Sequence, residues 1–189
     1  MGKVVVSEFI SVDGVIEDPG GAEDYEHGGW TFEYDRGDDG DKFKLDEIMA
    51  ADAQLLGRVT YEGFAKAWPT MEDPVGFADK MNSMPKYVVS TTLQNPEWSN
   101  TTVLKDVDEV AKLKDEYDGD IVVAGSATLA QSLAEKGLVD EYRLMVFPTV
   151  LGTGKRLFAD GSGRIKLKLT DTKHVGSDGV VVLTYESAE

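Results

Sequence analysis

The chain has 189 residues, of which 41% are hydrophobic, and its formal net charge is −16. This length and hydrophobic content predict a single compact domain over residues 1–189 with one active site. Cysteine is absent, which excludes a disulfide scaffold, a thiolate nucleophile and a cysteine-ligated metal. The negative charge argues against nucleic acid and anionic lipid as partners, because non-specific binding to either needs clustered basic side chains.

The sequence indicates a soluble, cytoplasmic protein without a membrane partner. No apolar run approaches the roughly 18 residues that cross a bilayer. The N-terminus runs directly into a strand-like segment at residues 4–11, without a signal-peptide cleavage region. Because no thiol is available, any redox chemistry must come from a bound cofactor.

The order of the predicted elements indicates the fold class. Strand-like segments are rich in β-branched and aromatic residues, and helix-like segments repeat apolar residues every three or four positions. The predicted strands cover residues 4–11, 53–56, 87–90, 103–104, 121–124, 141–150, 165–173 and 180–185. The predicted helices cover residues 41–51, 60–67, 107–116 and 128–136. Strands and helices alternate along the first two thirds of the chain, and only strands follow. This order predicts an α/β fold with a mixed, mainly parallel sheet, helices on both faces and antiparallel C-terminal edge strands.

Two connections and one turn carry further expectations. Residues 17–41 repeat glycines and acids, which predicts a long surface loop. Its predicted aromatic anchors are Tyr25, Trp30, Phe32 and Tyr34. Residues 70–85 show no clear period, so no element is predicted there. Gly176-Ser177-Asp178-Gly179 predicts the hairpin turn between the last two strands.

Three predicted strands end in small and hydroxyl residues. The three ends are Leu56-Gly57-Arg58-Val59-Thr60, Val89-Ser90-Thr91-Thr92 and Ala124-Gly125-Ser126-Ala127-Thr128. Ligands of open α/β sheets bind beyond the carboxyl ends of the strands, where backbone N–H groups and helix N-termini face outward. Glycine allows close backbone approach, hydroxyls bond phosphate oxygens, and Arg58 adds a positive charge. Each end alone is a weak signal, and together they predict a cradle for the phosphates of a dinucleotide.

Four segments resemble the dihydrofolate-reductase superfamily, in register over nearly the whole chain. Ser11-Val12-Asp13-Gly14-Val15-Ile16 resembles its first strand, and Leu56-Gly57-Arg58-Val59-Thr60-Tyr61-Glu62 resembles its second strand and phosphate-binding helix start. Residues 87–92 and 121–129 follow where that family places its adenosine-phosphate strand and glycine turn. Phe147-Pro148-Thr149-Val150-Leu151-Gly152-Thr153-Gly154 resembles the segment near the pterin-side mouth. The first and last segments are more similar to the reductase domain of riboflavin biosynthesis, and its stand-alone relatives, than to folate reductases.

The resemblance implies a dihydrofolate-reductase-like three-layer sandwich with NADPH as the cofactor. It implies that the phosphates are held by Gly57, Arg58, Val59 and Thr60, the adenosine 2′-phosphate by Ser90 and Thr91, and the pyrophosphate by Gly125, Ser126, Ala127, Thr128 and Leu129, which follow Ala124. It also implies that Val15 and Ile16 lie beside the nicotinamide. The family often has two consecutive glycines where this chain has Gly125-Ser126.

Hydride transfer needs a positioned substrate and a route for a proton, so a carboxylate near the substrate is expected as proton relay or anchor. Asp13 is one candidate at the end of the first strand, although Asp-Gly is also a favoured turn pair. Asp41 is the other, one helical turn before Leu45 on the predicted apolar face, and helix capping is its more frequent alternative. The predicted substrate-binding residues are Trp30, Phe147 and Pro148. Trp30 equally fits a role as an anchor of its loop.

We expect an NADPH-dependent oxidoreductase that acts on a small heterocyclic or carbonyl-like substrate. The resemblance implies 5-amino-6-(5-phosphoribosylamino)uracil of riboflavin biosynthesis as the example. A dihydrofolate reductase and a non-catalytic NADPH-binding module are the alternatives. No metal is expected, because His27 and His174 have no ligand spacing around them. The C-terminal strands fit a homodimer, which the resemblance also implies.

Overall fold

An eight-stranded sheet forms the centre of the protein in a computed structural model that describes residues 1–188. The strands are β1 (Lys3–Ser11), β2 (Ala53–Gly57), β3 (Lys86–Val89), β4 (Thr101–Leu104), β5 (Asp120–Val123), β6 (Glu141–Phe147), β7 (Lys166–Val175) and β8 (Val180–Ala188). Their order is β4-β3-β2-β5-β1-β6-β8-β7. Neighbours are parallel from β4 to β6, and β8 pairs antiparallel with both β6 and β7. The predicted mainly parallel sheet with antiparallel C-terminal strands is therefore confirmed.

Helices cover both faces of the sheet, as expected. They are α1 (Gly37–Ala50), α2 (Arg58–Ala67), α3 (Phe77–Ser83), α4 (Val110–Glu116) and α5 (Ala127–Glu135), with short 3-10 turns at Trp30–Glu33, Trp68–Thr70 and Val107–Glu109. The helices α1, α2 and α3 contribute Ile48, Tyr61 and Met81 to one core cluster. Both α4 and α5 pack into the cluster on the opposite face. No helix among residues 1–188 has the length and apolarity needed to span a bilayer.

The central strand β5 shows why the middle of the sheet is continuously apolar. Ile121 and Val123 pack into the cluster beneath α4 and α5, while Val122 packs against the opposite layer. Successive side chains of a strand point to opposite faces, so a strand covered on both faces must be apolar at every position. Burying each such side chain stabilises the fold by about 1.5–3 kcal/mol.

The long loop between β1 and α1 is fastened by Trp30 and not by every aromatic residue predicted for that role. The Trp30 ring packs edge-on against Phe147 at 5.5 Å, and its Nε1–H donates to the Glu17 carbonyl at 2.9 Å. Phe32 is 78% exposed, so its prediction as an anchor is wrong. The 3-10 turn at Trp30–Glu33 directs Trp30 and Thr31 inward, which leaves Phe32 on the outer side.

Two helices depart from the sequence-based expectations. The helix α1 begins at Gly37 and not at residue 41. The helix α3 lies inside the segment for which no element was predicted. Its N-terminus is fixed by the Asp73 carboxylate, which accepts from the N–H groups of Val75, Phe77 and Ala78. A seven-residue helix is too short to show a period, and its stability comes from packing and this cap.

Lys86 joins α3 to β3 from a fully buried position. Its Nζ donates to the carbonyl oxygens of Met81, Asn82 and Met84 at 2.9, 3.1 and 2.9 Å. It also lies 4.4 Å from the centroid of the Trp98 ring. Burial lowers the pKa of Lys86 to about 8. The ammonium group satisfies three carbonyls that the last turn of α3 and the following residues leave without helical partners.

We expect Lys86→Leu to destabilise the protein by about 3 kcal/mol, because three buried carbonyl oxygens lose their donor. Urea unfolding would show this loss as a lower midpoint with an unchanged slope. Lys112→Leu, at an exposed position of α4, is the matched control and should change stability by less than about 0.5 kcal/mol. Equal midpoints for the two variants would show that the buried ammonium contributes nothing.

Candidate cofactor site

The turns that follow β2 and β5 are tied together at the carboxyl edge of the sheet. Leu55 and Val123 are partners in the parallel ladder between these strands. Just beyond them, the Gly57 N–H donates to the Ser126 Oγ at 2.9 Å. Helices α2 and α5 begin at the next residues, so their N-termini share one edge of the sheet. Free N–H groups and the helix dipole make such a place attractive to anions.

Glycine suits position 125 for conformational and steric reasons. Its φ is +61°, a left-handed conformation, and a Cβ atom there would lie 3.1 Å from the Cγ2 of Thr60. Ser126 also has a φ of 61°, which is unusual for a residue with a side chain. Backbone strain of this kind concentrates at ligand-binding turns. The described peptide bonds here are trans.

The third strand end lies directly beside the other two. Gly57 pairs with Val89 in the parallel ladder, so Arg58 and Ser90 begin neighbouring turns. The Ser90 Oγ accepts from the N–H groups of Thr92 and Leu93 at 3.2 and 2.9 Å, which closes its own turn. The Arg58 guanidinium is partly exposed and lies 3.0 Å from the Glu62 carboxylate. The three predicted strand ends are therefore adjacent, in the order β3, β2, β5.

The remaining residues predicted at the phosphates differ in exposure. Thr60 lies beside Gly125, Val59 is exposed on the first turn of α2, and Leu129 is buried on the inner face of α5. Thr91 and Thr128 are exposed, and Ala124 and Ala127 are partly buried. Thr91 and Thr128 are thus on the surface, whereas Leu129 belongs to the packed core.

The pairing of β1 with β5 stops early at the same edge, and we call the place between the two strands beyond this point the gap. Their ladder covers only Lys3 to Val6 on β1, ending where Val6 pairs with Val123. The strand β1 continues to Ser11 with β6 as its sole partner along that stretch of the described sheet. The chain leaves β1 through α1 on one face and leaves β5 through α5 on the other. Crevices at such switch points are the usual ligand sites of open α/β sheets.

The side chain of Glu8 occupies this gap. Its Oε2 accepts from the Gly125 N–H at 3.0 Å, and the residue is only 4% exposed. Its Oε1 is buried and has no hydrogen-bond partner among residues 1–188. Burial raises the pKa of Glu8 well above its ordinary value of 4.5, against the lowering effects of the Gly125 N–H and the positive charge of Lys44. Burial therefore acts in favour of the neutral form of this carboxyl.

A second polar cluster lies on the opposite face of β1, against α1. The Lys44 Nζ donates to the Ser7 Oγ at 2.7 Å and to the Glu47 Oε2 at 2.5 Å. The Ser7 hydroxyl donates to the same Glu47 oxygen at 2.8 Å. Lys44 also lies 5.3 Å from the centroid of the Phe9 ring. This cluster fixes the inner face of α1 to the strand that borders the gap.

Asp13 fastens the segment after β6 to the end of β1. Its carboxylate accepts from the Ser11 hydroxyl at 2.6 Å and from the N–H groups of Leu151 and Gly152 at 3.1 and 2.8 Å. The hydrogen bond from Ser11, followed by those of the backbone, lowers the pKa of Asp13 to about 2. Asp13 is therefore an ionised acceptor at neutral pH, and this geometry fits an anchor. A direct role in catalysis stays a prediction.

Asp41 does not lie on the apolar face of α1. It is 64% exposed and accepts from the Arg36 Nε at 2.6 Å. Because α1 begins at Gly37, the residues turned inward are Gly40, Glu47 and Ile48. The predicted position of Asp41 is therefore wrong, and its participation in catalysis stays a prediction.

The residues predicted around the nicotinamide and the substrate are mostly buried. Val15 and Ile16 follow β1 inside the core, and the Val15 N–H donates to the Ser11 Oγ at 2.9 Å. Trp30 and Phe147 pack against each other, so in this structure Trp30 is an anchor of its loop. Pro148 is exposed at the rim.

Sequence reasoning missed Glu8, Ser7, Lys44 and Glu47. A signal for Glu8 was present, because it lies among the apolar residues of a predicted buried strand, and glutamate is rarely buried without a partner. No comparable signal marked Lys44 or Glu47, since charged residues on a helix usually face solvent.

The family model of the RibD C-terminal domain matches residues 2–181. The chain belongs to this family. Among curated proteins, this chain is 34% identical over 188 residues to the uncharacterized protein YyaP of Bacillus subtilis, and the match covers 97% of this chain and 94% of YyaP. It is 29% identical over 176 residues to the uncharacterized protein YwjB of the same organism, covering 92% of each.

Three solved structures share the fold of this RibD C-terminal domain. A putative riboflavin biosynthesis protein from Shewanella has a TM-score of 0.74 at 21% identity, covering 99% of both chains. A dihydrofolate reductase from Enterococcus faecalis, complexed with NADP(H) and RAB-propyl, has a TM-score of 0.61 at 15% identity, covering 99% of this chain and 97% of that one. A pyrimidine reductase-like protein from Corynebacterium diphtheriae has a TM-score of 0.62 at 14% identity, covering 99% and 92%. The predicted dihydrofolate-reductase-like fold is confirmed.

We expect Glu8→Gln to become more stable relative to the unsubstituted RibD C-terminal domain as pH rises. Folded Glu8 keeps its proton above its ordinary pKa of 4.5, whereas the unfolded chain loses it, so rising pH destabilises the folded state. Between the pKa of Glu8 in the unfolded chain and its raised pKa in the folded protein, the unsubstituted protein loses about 1.4 kcal/mol of stability per pH unit from this group. The uncharged side chain of Glu8→Gln causes no such loss.

Urea unfolding of both proteins from about pH 5 to about pH 8 measures this difference. Lys44 and Glu47, the charged groups that act on Glu8, are common to both proteins and cancel. A difference in stability that does not change with pH would mean that Glu8 ionises in the folded protein as it does in the unfolded chain.

Proposed function

We propose that this protein is an NADPH-dependent reductase that reduces a small heterocyclic substrate, with the ribosylamino-pyrimidine of riboflavin biosynthesis as the family's example. The observation that carries the proposal is the hydrogen bond between the Gly57 N–H and the Ser126 Oγ. It holds the N-termini of α2 and α5 at one edge of the sheet, which suits the pyrophosphate of a dinucleotide. Family membership and the reductase fold of its neighbours support the same reaction class.

The residues of the three strand ends fit the cofactor's phosphates. The first turns of α2 and α5 would hold the pyrophosphate through backbone N–H groups, with Thr60 and Thr128 adding hydroxyls. Arg58, Ser90 and Thr91 would hold the adenosine 2′-phosphate, since their turns are adjacent. The absence of side chains at Gly57 and Gly125 leaves the backbone accessible there. When bound, NADPH supplies the hydride.

The gap between β1 and β5 would receive the nicotinamide, next to the buried Val15 and Ile16. The substrate would lie toward the segment after β6, whose position Asp13 fixes through Leu151 and Gly152. The predicted substrate contacts Trp30, Phe147 and Pro148 lie on that side, although Trp30 and Phe147 would act mainly as its packed floor. Excluding water from this floor favours hydride transfer over side reactions.

We also propose that the protein is a homodimer located in the cytoplasm. The strand β7 lies at one edge of the sheet, and most of its side chains are exposed. An edge strand offers backbone groups with which a second copy can pair. Analytical ultracentrifugation at several concentrations would measure the oligomeric state directly.

Titration with NADPH and NADH, followed by cofactor fluorescence, tests the cofactor. A screen with the riboflavin-pathway pyrimidine and with dihydrofolate, followed by loss of nicotinamide absorbance, tests the reaction. Turnover of the pyrimidine would support the proposal, and turnover of dihydrofolate would favour a folate reductase instead. Cofactor binding without oxidation by either substrate would favour the non-catalytic module. If NADPH does not bind, the reductase function is wrong.

Arg58→Met should weaken NADPH binding about 10-fold and leave NADH binding nearly unchanged, because only NADPH carries the 2′-phosphate. Lys66→Met, at an exposed position in the last turn of the same helix, is the matched control for lost positive charge. Equal losses for both cofactors would place Arg58 at the pyrophosphate. Equal losses of NADPH affinity in Arg58→Met and Lys66→Met would show that Arg58 acts only through long-range charge.

A further inference from the structure

Glu8 has one oxygen in use and one without a partner. Its Oε2 accepts from the Gly125 N–H, whereas its Oε1 is buried and has no partner within residues 1–188. Buried polar atoms in native proteins are nearly always hydrogen-bonded, and the exceptions need an explanation. A ligand that enters the gap between β1 and β5 would supply the missing partner.

The position of Glu8 specifies which part of a dinucleotide it would meet. The Gly125 N–H that it accepts belongs to the turn before α5, where the proposed pyrophosphate lies. The adenosine end lies toward β3, on the far side of β2. The nicotinamide end must therefore extend the other way, toward β1, and Glu8 is the polar side chain between this turn and that strand.

The chemistry of Glu8 favours an uncharged ligand group. An ionised Glu8 would repel the nearby phosphates, whereas the protonated acid can donate a hydrogen bond through Oε1. The turn at residues 124–129 contains no charged residue, and the charged groups that act on Glu8 are Lys44 and Glu47 of α1. With Oε2 accepting from Gly125, the proton is available on Oε1. Its natural partner is a carbonyl oxygen.

We propose that the Glu8 carboxyl, through its buried Oε1, donates a hydrogen bond to the carboxamide oxygen of the cofactor's nicotinamide in the gap between β1 and β5. This inference rests on the proposed NADPH function. Glu8 is then a cofactor-binding residue that orients the ring by its amide group, and it is distinct from the residues that hold the phosphates.

The test compares two ligands and two variants. The ligands are NADPH and 2′-phospho-ADP-ribose. The second ligand keeps the pyrophosphate, the 2′-phosphate and the adenosine of NADPH but has no nicotinamide. Glu8→Met removes the donor at similar length and should weaken NADPH about 10-fold while leaving 2′-phospho-ADP-ribose unchanged. Glu8→Gln keeps an acceptor for Gly125 and an N–H donor, and should recover most of the NADPH affinity. Isothermal titration calorimetry measures the affinities of the unsubstituted protein and of both variants for each ligand.

Each outcome discriminates between explanations. Equal weakening of both ligands by Glu8→Met would show that Glu8 only supports the Gly125 turn, which overturns the inference and leaves the proposed function intact. Failure of both ligands to bind the unsubstituted protein would remove the proposed function and this inference with it. Binding of 2′-phospho-ADP-ribose with NADPH affinity unaffected by either variant would also overturn the inference.

A spectroscopic measurement tests the proton itself and needs no Glu8→Met protein. The infrared difference between the unsubstituted protein and Glu8→Gln should contain the C=O stretch of a protonated carboxyl at neutral pH. That band should shift on addition of NADPH and stay unchanged on addition of 2′-phospho-ADP-ribose. A carboxylate band, or equal shifts with both ligands, would show that the proposed hydrogen bond does not form.

Discussion

The structure of the candidate site depends on the early separation of β1 from β5. The strand β5 ends at Val123 and turns through the left-handed Gly125 into α5, while β1 continues to Ser11 beside β6. The Gly125 N–H therefore has no strand to pair with and needs another acceptor. Glu8 provides this acceptor from the part of β1 that no longer pairs with β5. One change of direction thus creates the gap, exposes a backbone donor and places an acid between them.

The same geometry is compatible with the proposed binding of a polyanionic cofactor by an acidic protein. A net charge of −16 opposes phosphate binding at long range, but salt at physiological strength screens exposed charges beyond about 8 Å. The proposed cradle relies on groups that act at hydrogen-bond distance: backbone N–H groups, hydroxyls and two helix N-termini. Arg58 is the one basic residue in the three strand ends, and it forms an ion pair with Glu62.

Sequence patterns predicted the sheet well because buried strands must be apolar on the faces they cover, as Ile121 to Val123 are. They predicted the adjacency of three strand ends, which follows from parallel pairing alone. They failed for α3, whose stability comes from the Asp73 cap and from packing, and for the position of Asp41. The spacing of Asp41 from Leu45 predicts an apolar face, whereas burial depends on which side of α1 faces β1. That information becomes available only when the elements are packed.

Two carboxyl groups near the end of β1 have opposite electrostatic environments. Asp13 receives three hydrogen bonds and has a pKa of about 2, whereas burial raises the pKa of Glu8. Groups whose pKa values are pushed apart can serve as a fixed anion and a neutral acid at one pH. At neutral pH the Asp13 anion fastens the rim of the site, whereas burial acts in favour of the neutral form of Glu8 beside the Gly125 turn. Because the two groups lie five positions apart in the sequence, a single strand and its turn provide both environments.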